Sequence, residues 1–287
     1  PPVLALQGAG AVRLAAPREE PLTDTQPEPA GRLAAEPPTI PPPAAITPAT
    51  LREVLALGWR DFRRAPFYGI VFSAVYVLGG LIMYAIFAAS AAEYWFIPIA
   101  VGFPILAPFA ATGLYEVSRR LEAGQPLGLR SVFAIVFAQK DRQVPSMAMF
   151  VMLVFMFWVF IAHTIFALFF GLAPITGSTW AMLLSGNGLM MLMVGSVIGG
   201  VMATLFYALT VVSLPLILDR EIDFISAMIA SFGCVTANPV TMALWAAIIA
   251  GALFLGMLPL FLGLFVVLPV FGHASWHLYR RLLPPEG

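Results

Sequence analysis

The sequence predicts an all-α membrane protein with six transmembrane helices and three interfacial amphipathic helices, and two observations carry that expectation. Of 287 residues, 60% are apolar and 10% are charged, whereas a soluble domain is under half apolar and about a quarter charged. Long uncharged runs also alternate with short charged ones, and a crossing of a hydrocarbon core about 30 Å thick takes about 20 apolar residues. The stretch from Phe67 to Tyr279 supplies about six such crossings.

The first 48 residues hold 12 of the 25 prolines, interleaved with Ala, Glu and Thr. Such a segment buries too little apolar surface to offset its ordering entropy, so residues 1–48 are expected to form a proline-rich tail and 49–283 the transmembrane domain. Thr50 and Glu53 have capping-box spacing and predict a helix start. Leu51, Val54, Leu55, Gly58 and Phe62 then recur at helical spacing, with Arg60, Arg63 and Arg64 carrying the charge. That pattern reads as an interfacial helix, closed by Pro66.

The first crossing runs from Phe67 to about Ala89, and Glu93, Tyr94 and Trp95 mark the far interface. The second returns from Phe96 to about Val117, broken by Pro98, Pro104 and Pro108, and Arg119 and Arg120 stop it. Arg130 to Gln139 forms a second interfacial helix, followed by the third crossing from Pro145 to about Phe170. An uncharged loop over residues 171–189 carries a short helix near Trp180. The fourth crossing runs from about Met190 to Leu218, and Phe224 to Thr236 is the third interfacial helix. Pro239 to His277 holds no charge over 39 residues, about 58 Å as one helix, so it is expected to fold at Gly256 to Pro259 into crossings five and six.

This topology places all fifteen Lys and Arg residues on one side, which the positive-inside bias makes the cytoplasm. A multi-pass protein of a bacterial inner membrane with both termini cytoplasmic is therefore expected. Windows of equal length (51–66, 130–145 and 224–239) each end in a proline that opens a crossing. They suggest a repeat of interfacial helix plus hairpin over residues 51–117, 130–218 and 224–279.

The residues name little chemistry. Zero net charge gives no basic surface for nucleic acid, and the lone Cys234 excludes a disulfide framework. His273 and His277 share a helix face at a usable ligand spacing, yet no Glu, Asp or Cys accompanies them in sequence, and His163 lies in the outer half of crossing three. Neither metal nor cofactor is expected. Glu93 and Glu116 sit at the two membrane boundaries with no charged residue between them, which weighs against a carrier or proton pump. No Ser-His-Asp spacing, phosphate-cradling Gly-rich loop or paired carboxylate motif outside the charged loops is present, so no enzyme is expected. Gly195, Gly199 and Ala203 fall four apart on crossing four, as Ala247 and Gly251 do on crossing five, and such stripes let helix backbones approach closely.

The runs Leu51-Arg52-Glu53 to Arg63-Arg64-Ala65-Pro66, Gly113 to Gly124 and Leu216-Ile217-Leu218-Asp219-Arg220 resemble a family of bacterial integral membrane proteins of unknown function. Some of its members carry a cytochrome c oxidase subunit label, and the likeness covers residues 45–283. It implies an association with respiratory complexes and supplies no catalytic residues, since a haem-copper core needs about six intramembrane histidines and this chain has three. The expected role is a non-catalytic accessory or assembly subunit of a larger inner-membrane complex, respiratory or photosynthetic in class. Its partners would be membrane lipids and another integral membrane protein. The alternative is a small-solute or lipid carrier.

Overall fold

In the computed structural model the chain enters its helical part through Thr47, whose side chain closes a capping box with Thr50 while Pro48 occupies the first helical position. The first helix, α1 (Pro48–Arg64), thus begins before the expected start at Thr50, because proline needs no donor in a first turn where amide hydrogens lack partners anyway. The structure describes residues 40–90, 96–171 and 179–284. The far-interface marker Glu93 to Trp95 and residues 1–39 of the expected tail lie outside them.

The remaining helices are α2 (Pro66–Ser90), α3 (Phe96–Glu122), α4 (Leu129–Ala138), α5 (Val144–Phe170), α6 (Thr179–Leu183), α7 (Gly186–Thr210), α8 (Ser213–Asp219), α9 (Phe224–Ala237), α10 (Pro239–Met257) and α11 (Leu264–Leu282). Among the described residues, four stretches are long and apolar enough to cross a membrane: Pro66–Ile86, Val144–Phe170, Gly186–Asp219 and Pro239–Met257. The other two expected crossings, α3 and α11, are helices whose second halves carry Glu116, Arg119, Arg120 and Glu122 or His273, His277, Arg280 and Arg281. Prolines 98, 104 and 108 do not break α3, which runs through all three.

The expected fold between crossings five and six is present. Helix α10 ends at Met257 and α11 starts at Leu264, with Leu260 and Phe261 both at positive φ in the turn. Gly263 makes that turn possible, since a Cβ there would lie 2.7 Å from the Gly256 Cα.

The apolar stripe of α1 is covered by protein. Leu51, Val54, Gly58 and Asp61 are buried, and α1 packs along α11. At the crossing a Cβ on Gly58 would sit 2.5 Å from the Val270 carbonyl oxygen and 2.7 Å from the Ala274 nitrogen. Helix α9 packs in the same manner on α7 and α8. Its Ser231 hydroxyl accepts from the Val212 amide at 3.1 Å and donates to the Ala208 carbonyl at 2.8 Å, filling the break between α7 and α8.

The compact helical unit begins at Ile40, inside the expected tail. Asn238 holds this entry segment from both sides: its Oδ1 accepts from the Ile46 amide at 2.9 Å and its Nδ2 donates to the Ala44 carbonyl at 3.1 Å. Thr241 donates to the Ile46 carbonyl, and the Ala44 amide donates to the Leu282 carbonyl. The extended backbone of a proline-rich segment has no internal hydrogen bonds, so these side chains supply partners that the segment cannot supply itself.

Candidate functional site: a buried polar cluster and an open groove

Helices α1, α3 and α11 converge on a cluster that the sequence kept apart. Asp61 lies on the buried stripe of α1, Ser118 on α3, and His273 and His277 one turn apart on α11. Asp61, Ser118 and His273 are fully buried and His277 nearly so. The Asp61 Oδ2 accepts from the His277 Nε2 at 2.7 Å and from the Ser118 hydroxyl at 3.0 Å, while Oδ1 accepts from Arg60. The expectation that no carboxylate accompanies these histidines is therefore corrected. The partner comes from 216 positions away, beyond any local spacing.

Because the Ser118 proton points at Asp61, its oxygen accepts from the His273 Nδ1 at 2.8 Å. The His273 Nε2 is left buried, with no hydrogen-bond partner among the described residues. This differs from a nucleophilic triad, where histidine takes the serine proton and the carboxylate steadies the other ring nitrogen. Burial alone would raise the Asp61 pKa. The hydrogen bond and charge of His277, the Ser118 hydroxyl and the charge of His273 outweigh burial and hold it below the ordinary 3.8.

Around this core the remaining charges pair at the same end of the helices. Glu116, fully buried, accepts from the Arg119 Nε at 2.8 Å and the Arg120 Nε at 2.6 Å. Glu122 accepts from the Trp276 indole at 2.8 Å and from Arg280. Asp219 accepts from the Tyr279 hydroxyl at 2.6 Å. Buried charges are costly unless paired and hydrogen-bonded, and here every buried carboxylate is both. The result is a rigid base that joins α1, α3, α8 and α11. Among the described residues no group of three His, Cys, Asp or Glu has the geometry to hold a metal ion.

The second feature is a groove of about 830 Å³ between α5 and α7, open to the side, lined by Val154, Phe155, Trp158, Ser196, Met202 and Phe206 among others. Gly195, Gly199 and Ala203 of the expected packing stripe lie along it. Among the described residues, Gly199 has a neighbour at close range, the Trp158 indole, which a Cβ would meet at 2.8 Å, whereas at Gly195 and Gly251 a Cβ would meet nothing within 4 Å. Ala203 and Ala247 are exposed. Among the described residues, then, the two stripes are largely uncovered. His163 is also exposed on α5, its Nδ1 2.8 Å from the Val159 carbonyl of its own helix.

No curated protein and no solved structure matches the chain. Residues 96–219, which include the Ser118 and Glu116 segment, α5 and α7, match the family described as predicted integral membrane protein (DUF2189). Together with its apolar helices, this likeness to a membrane protein family of unknown function marks the chain as a multi-pass membrane protein.

Proposed function

We propose that the chain is a non-catalytic accessory or assembly subunit of a larger membrane complex, and that a partner's transmembrane helix seats in the α5–α7 groove. The uncovered groove with its small-residue floor is the observation that carries this reading, since small residues at such spacing let a second backbone approach closely. His163 adds weight. Helix α5 has 27 residues, about 40 Å at 1.5 Å per residue, so in a core about 30 Å thick a residue seven positions from its end lies about 5 Å inside. The His163 Nδ1 is held by the Val159 carbonyl, and an exposed imidazole there is costly unless another protein supplies a hydrogen bond to the second ring nitrogen.

A photo-reactive amino acid at Leu192, in the groove lining, tests this in native membranes. The subunit reading expects a protein adduct of discrete mass that Gly195→Leu abolishes. The alternative, a lipid or small-solute carrier, is favoured by the same groove's lateral opening. Adducts with lipid alone, together with lipid or solute movement by the purified chain in liposomes, would replace the subunit reading.

In this reading six helices cross a bacterial inner membrane, with the arginine-bearing end and both termini in the cytoplasm. The three-unit repeat is retained, and residue offsets support it. Val54, Gly58, Asp61 and Ala65 on and just after α1 are buried, as are Ala227, Ser231, Cys234 and Asn238 on and just after α9, each pair 173 positions apart. Gly58 faces the backbone of residues 270 and 274, and Ser231 that of 208 and 212, a constant 62 positions earlier. Two junctions of the same design follow. An experimental structure in which residues 51–66 and 224–239 failed to superpose together with the helices beneath them would sink the repeat.

A further inference from the structure

We propose that the elbow between α1 and α2 binds the phosphate of an anionic phospholipid headgroup through Arg63 and Arg64, with Trp59 and Phe67 at its rim. All four side chains are exposed, Trp59 by 44% and Phe67 by 55%. The opposite face of α1 is fixed against α11, so the orientation of the exposed face is set. Ala65 and Pro66 then lead directly into the membrane-spanning stretch Pro66–Ile86. That continuity brings the last turn of α1 to headgroup depth, where aromatic side chains sit at the water boundary.

Charge complementarity identifies the occupant. Every carboxylate among the described residues already has an interaction elsewhere: Glu53 with Arg281, Asp61 with His277, Glu116 with Arg119 and Arg120, Glu122 with Arg280, Asp219 with Tyr279, Glu221 with Arg142, and Asp223 with the Ser226 amide. Asp141 has a contact of its own. Among the described residues Arg63 and Arg64 form no ion pair, and the Arg63 guanidinium carbon lies 6.0 Å from the centre of the Trp59 ring. Two adjacent guanidinium forks at a membrane boundary match phosphate oxygens bidentately, and an anionic leaflet concentrates such groups there. Because the site is continuous with a spanning helix, the source is a lipid rather than a soluble phosphate.

The test uses the full chain in mild detergent with equal phosphatidylglycerol and phosphatidylcholine, reading retained lipid by native mass spectrometry. Phosphatidylglycerol is expected to be retained preferentially, with retention falling about tenfold in Arg63→Gln/Arg64→Gln and unchanged in Arg142→Gln. Circular dichroism should show both variants folded, as all three arginine side chains are exposed. If the double variant misfolds, Trp59→Ala is to lower retention instead. Equal retention of the two lipids, no change in the folded variants, or full displacement by millimolar inorganic phosphate would overturn the proposal. None of these outcomes depends on whether the α5–α7 groove takes a partner.

Discussion

The Nε2 of His277 lies 2.7 Å from the Oδ2 of Asp61, and this contact joins the first helix of the bundle to the last. A hydrogen-bonded charge buried among apolar helices stabilises mainly by what its loss would leave behind, an unpaired polar group in a medium that cannot solvate it. Asp61→Asn is expected to lower stability by about 1–3 kcal/mol, and Asp61→Ala by about 3–5 kcal/mol. His277→Gln in the Asp61→Asn background should then cost less than it does alone. Thermal unfolding of the four proteins in one detergent measures that coupling, and strict additivity would show the contact to be idle.

Asp61 also gives the fold an acid limit. Its folded pKa lies below the ordinary value of 3.8, so the unfolded chain binds the proton more readily and the carboxylate stabilises the fold at pH above about 4. That contribution disappears as the pH falls through the depressed folded value. The wild-type protein should lose stability more steeply than Asp61→Asn below about pH 4. Unfolding midpoints collected across that range decide the matter.

How much of this was legible in the sequence depended on whether the signal was local. Pro66 and Pro239 opened helices where expected, and Gly256 to Pro259 foretold the hairpin of α10 and α11, because a proline or a cluster of turn residues acts on its own neighbours. The spacing of Leu51, Val54 and Gly58 continues to Asp61, so the buried position could have been found by extending the stripe. Asp61 itself went unnoticed because its partner, His277, is remote in sequence, and periodicity tells which face is buried but not against what. The stripes at Gly195 and Ala247 were legible as surfaces permitting close approach. Among the described residues little approaches them.

Gly58 sets how closely α1 can approach α11. A methyl group there would sit within 2.8 Å of Ala274 and nearer still to backbone atoms of α11, which cannot rotate away as a side chain could. Gly58→Ala is expected to cost about 1–3 kcal/mol through overpacking, and Gly58→Leu to detach the helix. Cysteine placed at Val54, fully buried in the wild type, would report detachment by becoming reactive to a thiol reagent in the Gly58→Leu background. Continued protection would mean that α11 moves to accommodate the larger side chain.

The shared end of the charged groups has a consequence for sidedness. Arg280 is tied to Glu122 and Asp219, so the ends of α3, α8 and α11 face the same compartment, whereas Asn187 opens the helix that runs toward α8. In a Cys234→Ser background, Asn187→Cys should be labelled from the periplasm of intact cells and Arg220→Cys should not. Periplasmic labelling of both would rule out the six-crossing topology.

Asn238 decides whether the entry segment stays on the bundle. Its amide supplies an acceptor to Ile46 and donors to Ala44 and Cys234, and alanine can replace none of them. Residues 40–47 would then be held by Thr241 and by the Ala44 to Leu282 contact, while Ile46, 9% exposed in the wild type, would lose its cover. Losing hydrogen bonds at a buried site costs about 1–3 kcal/mol, enough to raise the released fraction by about one to two orders of magnitude. Hydrogen exchange at the Ile46 amide should accelerate accordingly in Asn238→Ala. The helix α1 amides should stay protected, since α1 is anchored separately through Gly58 and Asp61. Equal acceleration along α1 would show that the strap and the helix open together as one unit.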